Sequence, residues 1–209
     1  RVQLRLRRPD HVILVERDPV VASCLSAVLL RPADVASEVE RLMRGDARAV
    51  HDRMRRERYD DPTREAARFL LLTASSFGGI GGFKGTHKHR PSVDGFIPSR
   101  ASIVARLDAL RPCPVEVHCM DAAFLPVRPN VTVYIDPPYR GRQGYGYTMS
   151  PEWVADLACR WRAAGSVVGV SEAMPLALGP EWRHVPLVRR AQVRRSLTQN
   201  DDEWLTLSN

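Results

Sequence analysis

The stretch Val131-Thr-Val-Tyr-Ile-Asp-Pro-Pro-Tyr139 constrains this chain more than any other. Alternation of Val131, Val133 and Ile135 with Thr132 and Tyr134 predicts a short buried strand. Neither Pro137 nor Pro138 carries the N–H that a sheet ladder requires, so the strand has to stop at Asp136. An acid is thereby delivered to the carboxyl end of a strand, the edge at which open α/β sheets bind ligands. The two prolines also fix two φ angles, which holds the carboxylate and nearby carbonyls without a ligand to order them. Such a group suits transfer to an exocyclic amino group of a nucleobase, whose lone pair is delocalised into the ring and has to be localised first. Asp136 and the backbone carbonyl of Pro137 can each accept one N–H of that amino group, while Tyr139 offers a ring face for stacking. The structural alternative is a strand followed by a proline-stiffened turn in which Asp136 bonds only its own backbone.

Upstream, His11-Val-Ile-Leu-Val15 is an apolar run of strand length that ends in Glu16-Arg17-Asp18-Pro19. Val20, Val21, Cys24, Leu25, Val28 and Leu29 then recur at helical spacing, which predicts a β-turn-α unit. An acid at the position of Glu16 can grip two neighbouring ribose hydroxyls through its two acceptor oxygens. The alternative is a solvated Glu16 and an Asp18 that caps the following helix. From Pro32 to Arg58 the pattern is helical, poorly apolar and dense in both signs of charge, which reads as solvated helix faces with Gly45 between two helices. A further helix is predicted from Pro62 to Thr73, packing through Ala66, Ala67, Phe69, Leu70 and Leu71.

The glycine-dense run Ser75 to Phe83 leads directly into Lys84, His87, Lys88, His89 and Arg90. Glycines beside a basic cluster let backbone approach phosphates closely, so this loop is expected to contact a polyanion; a linker is the alternative. A helix carrying Ile103, Val104, Leu107 and Leu110 follows, then a strand Val115 to Cys119 that delivers Asp121, with helix capping an equal contender for that acid. Arg140 and Arg142, with Tyr145 and Tyr147, compose a glycine-rich segment suited to a lid over a base and its backbone. A helix opens at Ser150-Pro151-Glu152, closes at Gly165 and gives way to a strand Ser166 to Ser171. The C-terminus reads as a last strand through Trp204, Leu205 and Leu207.

The Asp136-Pro-Pro-Tyr139 word resembles the catalytic motif of amino-methyltransferases that use S-adenosylmethionine, and in this form the DNA adenine N6-methyltransferases of the Dam type. The likeness runs from His11 to Asn209 in family order, including Phe77-Gly-Gly79, Gly95-Phe-Ile-Pro98 and the closing Glu203-x-Leu-x-Leu-x-Asn209. It implies an α/β fold: a Rossmann-like methyltransferase sheet, mostly parallel, with helices on both faces, as a single domain 1–209 whose segment 32–110 is an insertion contacting DNA. It implies Asp136, Pro137, Pro138 and Tyr139 as catalytic residues and Glu16, Asp121 and Asp136 as cofactor-binding residues, with the three acids lining one cleft. Lys84, His87, Lys88, Arg90, Arg140 and Arg142 are the expected DNA contacts, and double-stranded DNA is the partner. Family members begin with a strand ending in a Phe-x-Gly-x-Gly loop, whereas Arg1 to Asp10 holds no glycine. An active enzyme is therefore expected to carry such a strand before Arg1; the competing reading is a degenerate methyltransferase that binds DNA without cofactor. Cytosine N4 or RNA adenine as the target uses the same chemistry and stays open.

A formal charge of +7, carried almost wholly by arginine, agrees with a polyanionic partner and equally with solvated helix faces. No run of 18 apolar residues and no signal-peptide pattern is present, which sets a cytoplasmic expectation. Cys24, Cys113, Cys119 and Cys159 form no CxxC pair, so reduced thiols and no metal site are expected.

Overall fold

The computed structural model describes residues 9–75, 114–138, 147, 149–187 and 203–208. Mixed α/β structure forms two compact units, Arg1–Phe124 and Leu125–Asn209. Among the described residues are five α-helices and two small sheets, and no single helix is long and apolar enough to cross a membrane.

In the first unit β1 (Val12–Glu16) pairs in parallel with β2 (Val115–Cys119), Val12 opposite Val115 and Glu16 opposite Cys119. Between them in sequence lie α1 (Pro19–Leu30), α2 (Pro32–Leu42), α3 (Ala47–Arg56) and α4 (Pro62–Ser75). Asp18 starts α1, its Oδ1 accepting the N–H of Val20 at 2.8 Å and of Val21 at 3.2 Å. Pro32 forbids continuation of α1, and α2 leaves at 110° to it. Gly45, at φ +116°, turns the chain from α2 into α3, a conformation that costs little only without a Cβ.

The charged stretch from Pro32 to Arg58 does more than present solvated faces. Its few apolar residues, Val35, Ala36, Val39, Leu42, Val50 and Met54, meet Cys24 and Ala27 of α1 and Ala66, Ala67, Leu71 and Leu72 of α4 in one core. Most of the arginines stay outside on local partners, as with Arg41 on Glu38 at 2.6 Å and Arg48 on Asp52 at 3.1 Å. Arg68 instead is buried, and its guanidinium forks onto both oxygens of Glu65 while Nη1 donates to the Met54 carbonyl at 2.9 Å. That bond ties α4 to α3 and satisfies a charge which would otherwise be costly to bury. The Cys24 thiol is pushed up to about 11 by burial, with the charge of Glu65 adding and that of Arg68 opposing.

In the second unit the strand order is β3 (Thr132–Ile135), β4 (Val167–Glu172), β6 (Glu203–Ser208), β5 (Trp182–Leu187). The β3 and β4 strands are parallel, with α5 (Pro151–Ala163) between them in sequence, the βαβ arrangement a parallel pair requires. Ser150 caps α5 through the N–H of Trp153 at 3.1 Å, and Val154, Leu157, Ala158 and Trp161 are its buried face. The sheet is then completed by two antiparallel pairings, β4 with β6 and β6 with β5, so the expected predominance of parallel pairs holds for only half of the described strand pairings. The β5 strand escaped the sequence reading because Pro186 interrupts it, which an edge strand tolerates and a central one does not.

Met54 is fully buried between α3 and its neighbours, whereas Leu30 is 71% exposed. Met54→Ala should therefore cost roughly 2–5 kcal/mol in urea unfolding monitored by circular dichroism, and Leu30→Ala less than about 0.5 kcal/mol.

Candidate active site

Asp136 follows the last residue of β3 directly, as the double proline demands, and its side chain is exposed while Pro137 is buried and Pro138 half-buried. Period-two alternation puts Thr132, Tyr134 and Asp136 on one face of the strand. On the neighbouring strand Tyr134 lies opposite Gly169 and Ile135 opposite Val170, so one further step of the same register brings Asp136 beside Ser171. The Ser171 hydroxyl, fully buried, donates to Asp136 Oδ1 at 2.8 Å and accepts from the Tyr134 hydroxyl at 2.9 Å.

Gly169 lies beside the Tyr134 ring. A Cβ there would stand 3.2 Å from Leu207 Cδ2 and 3.9 Å from Tyr134 Cδ2. The Tyr134 ring lies across the glycine with much of its surface exposed and its hydroxyl turned toward buried Ser171. Partial burial raises the pKa of that hydroxyl above its ordinary value, and the charges of Asp136 and Glu203 add to the rise against the hydrogen bond to Ser171. Tyr134 therefore stays a donor through neutral pH. Asp136 Oδ1 is committed to Ser171, and Oδ2 makes no hydrogen bond among the described residues. An exposed carboxylate with one oxygen fixed and the other open is an oriented acceptor for an N–H group.

The first unit holds two further acids of the sequence reading, at adjacent strand ends. Glu16 closes β1, and its backbone carbonyl accepts the N–H of Met120 at 3.1 Å, which brings the loop after β2 alongside. Glu16 Oε1 accepts the N–H of Asp18 at 2.8 Å, tightening the turn into α1, and Oε2 makes no hydrogen bond among the described residues. Asp121 Oδ1 accepts the N–H of Ala123 at 2.9 Å, while Oδ2 lies 3.3 Å from Arg17 Nη1. Asp121 is thus the stop of its own turn and the partner of Arg17, the local role that competed with ligand binding in the sequence. One oxygen of Glu16 and both oxygens of Asp121 already have partners in the chain, which leaves Glu16 the freer acceptor of the two among the described residues.

Tyr139, Lys84, His87, Lys88, Arg90, Arg140 and Arg142 lie outside the described residues. Asp136, Pro137 and Pro138 belong to the second unit, and Glu16 and Asp121 to the first. Sequence reasoning missed Ser171, Gly169 and the inward-turned hydroxyl of Tyr134. The strand from Ser166 to Ser171 was legible, but only the register of β4 against β3 sets its serine beside the acid. No protein-family model and no curated protein matches this chain.

Asp18→Ala removes the cap of α1 and should lower thermal stability by about 1 kcal/mol, while Asp18→Asn, which keeps an acceptor oxygen, should lie within a few tenths of wild type. A loss of the same size in both variants, read from urea unfolding, would assign Asp18 a role other than capping.

Proposed function

We propose that this chain is an S-adenosylmethionine-dependent methyltransferase acting on the N6 amino group of adenine in DNA, with the target base flipped out of the duplex. The observation that carries the reading is the exposed Asp136 carboxylate at the carboxyl end of β3, one oxygen held by Ser171 and two prolines behind it. The parallel β1–β2 and β3–β4 pairs, each joined through helices, support the Rossmann-like α/β fold that this activity implies.

When bound, S-adenosylmethionine supplies an electrophilic methyl group on a sulfonium centre with a good leaving group. Glu16 would hold its ribose through Oε2, and Asp121 would meet its adenine only by sharing an oxygen with Ala123 or Arg17. Asp136 accepts one N–H of the target amino group through Oδ2, which draws the nitrogen lone pair out of conjugation. The carbonyl of Pro137 takes the second N–H, and Tyr139 stacks on the extruded base. Base flipping costs a few kcal/mol, which stacking and hydrogen bonds to the Watson–Crick edge offset. Fixing the acceptor before the base arrives removes an ordering cost from the reaction. Lys84, His87, Lys88, Arg90, Arg140 and Arg142 supply charge for the phosphate backbone.

Asp136→Ala should abolish methyl transfer in a tritiated-methyl assay on adenine-containing duplex while the protein remains folded; turnover at the wild-type rate would remove Asp136 from the chemistry. Tyr139→Ala should weaken productive DNA binding by about 1–3 kcal/mol. The triple replacement of Lys84, Lys88 and Arg90 by alanine should lower DNA affinity alike for all sequences. The slope of log affinity against log salt should flatten by about one unit for each phosphate that is no longer neutralised. An unchanged slope would mean that these charges only face solvent.

A further inference from the structure

We propose that Ser171 and Tyr134 are positioning residues for Asp136, a two-hydroxyl chain that commits Oδ1 and reserves Oδ2 for the substrate amino group. The proposal rests on the function proposed above and names residues that the catalytic word does not contain.

Four positions on two strands cooperate in the arrangement. Tyr134 and Asp136 share a face of β3, and Gly169 and Ser171 share the facing register of β4. Ser171 has one O–H to give and gives it to Asp136 at 2.8 Å, while its lone pair receives the Tyr134 hydroxyl at 2.9 Å. A buried serine could satisfy itself on a neighbouring carbonyl; here its only donor is spent on an acid that is exposed to solvent. Tyrosine at an open surface ordinarily directs its hydroxyl to water, yet this ring crosses Gly169 to reach inward. The result is a carboxylate with one oxygen held by a donor that is itself hydrogen-bonded. An acceptor that has to localise a lone pair gains from a fixed direction, since displacement of a positioned group by about 1 Å can cost on the order of 100-fold in rate.

The test is steady-state methyl transfer to adenine-containing duplex by the full chain, with Ser171→Ala, Ser171→Thr and Tyr134→Phe beside wild type. Ser171→Ala is expected to lower kcat by roughly 10–100-fold and to leave KM for DNA within about 2-fold, because the group is lost from orientation rather than from binding. Ser171→Thr keeps the hydroxyl and should recover most of the rate. Tyr134→Phe removes only the outer link of a half-exposed side chain, so it tests the chain even if Ser171→Ala fails to fold, and should lower kcat by about 3–10-fold.

Ser171→Ala with wild-type kcat, or folded Ser171→Thr as impaired as folded Ser171→Ala, would overturn the positioning role while leaving the methyltransferase reading intact. If Ser171→Ala does not fold, wild-type kcat in Tyr134→Phe would do the same. Absence of methyl transfer to any adenine duplex by the natural full-length protein, with S-adenosylmethionine in excess, would overturn both.

Discussion

Two consecutive prolines after Asp136 set the end of β3, and the second unit is arranged around that stop. A strand that cannot continue its ladder must leave the sheet, so the acid is placed at an edge and the backbone behind it is stiff. The parallel partner β4 runs two residues further and offers Ser171 where β3 has ended. A hydrogen-bonded chain then links strand interior, edge and solvent: Tyr134, Ser171, Asp136. Gly169 lies beside this chain of bonds: a Cβ there would stand 3.2 Å from Leu207 and, at 3.9 Å, in ordinary contact with the Tyr134 ring.

The first unit solves a different problem. Its helices carry so much charge that only a narrow set of small and medium apolar side chains remains for the core, and these are used nearly completely: Val35, Ala36, Val39, Met54 and Ala67 are all at or below 1% exposed. Packing that tight has little tolerance for lost volume. Among the described residues the Arg68 guanidinium is taken inside, and the fork onto Glu65 together with the Met54 carbonyl accounts for it. At the strand ends of this unit the acids are partly spent on local structure, Glu16 on the turn into α1 and Asp121 on its own turn and Arg17. Glu16 spends one oxygen on its turn and Oε2 makes no hydrogen bond among the described residues, whereas both oxygens of Asp121 have partners in the chain.

What the sequence by itself determined follows from covalent and local rules. The ends of β3 at Asp136, of α1 at Pro32 and of α5 at Gly165, the caps at Asp18 and Ser150, and the turn at Gly45 are written in residues whose φ range or side-chain acceptor permits little else. Only the tertiary structure decided which strands pair and in what register. Ser171 meets Asp136 across 35 positions in sequence, β5 becomes a strand despite Pro186 because it lies at an edge, and the sparse apolar residues of 32–58 become a core because α1 and α4 close over them. Those outcomes depend on contacts between segments far apart in the chain, and a local pattern of side chains carries no information about which distant segment will supply the partner.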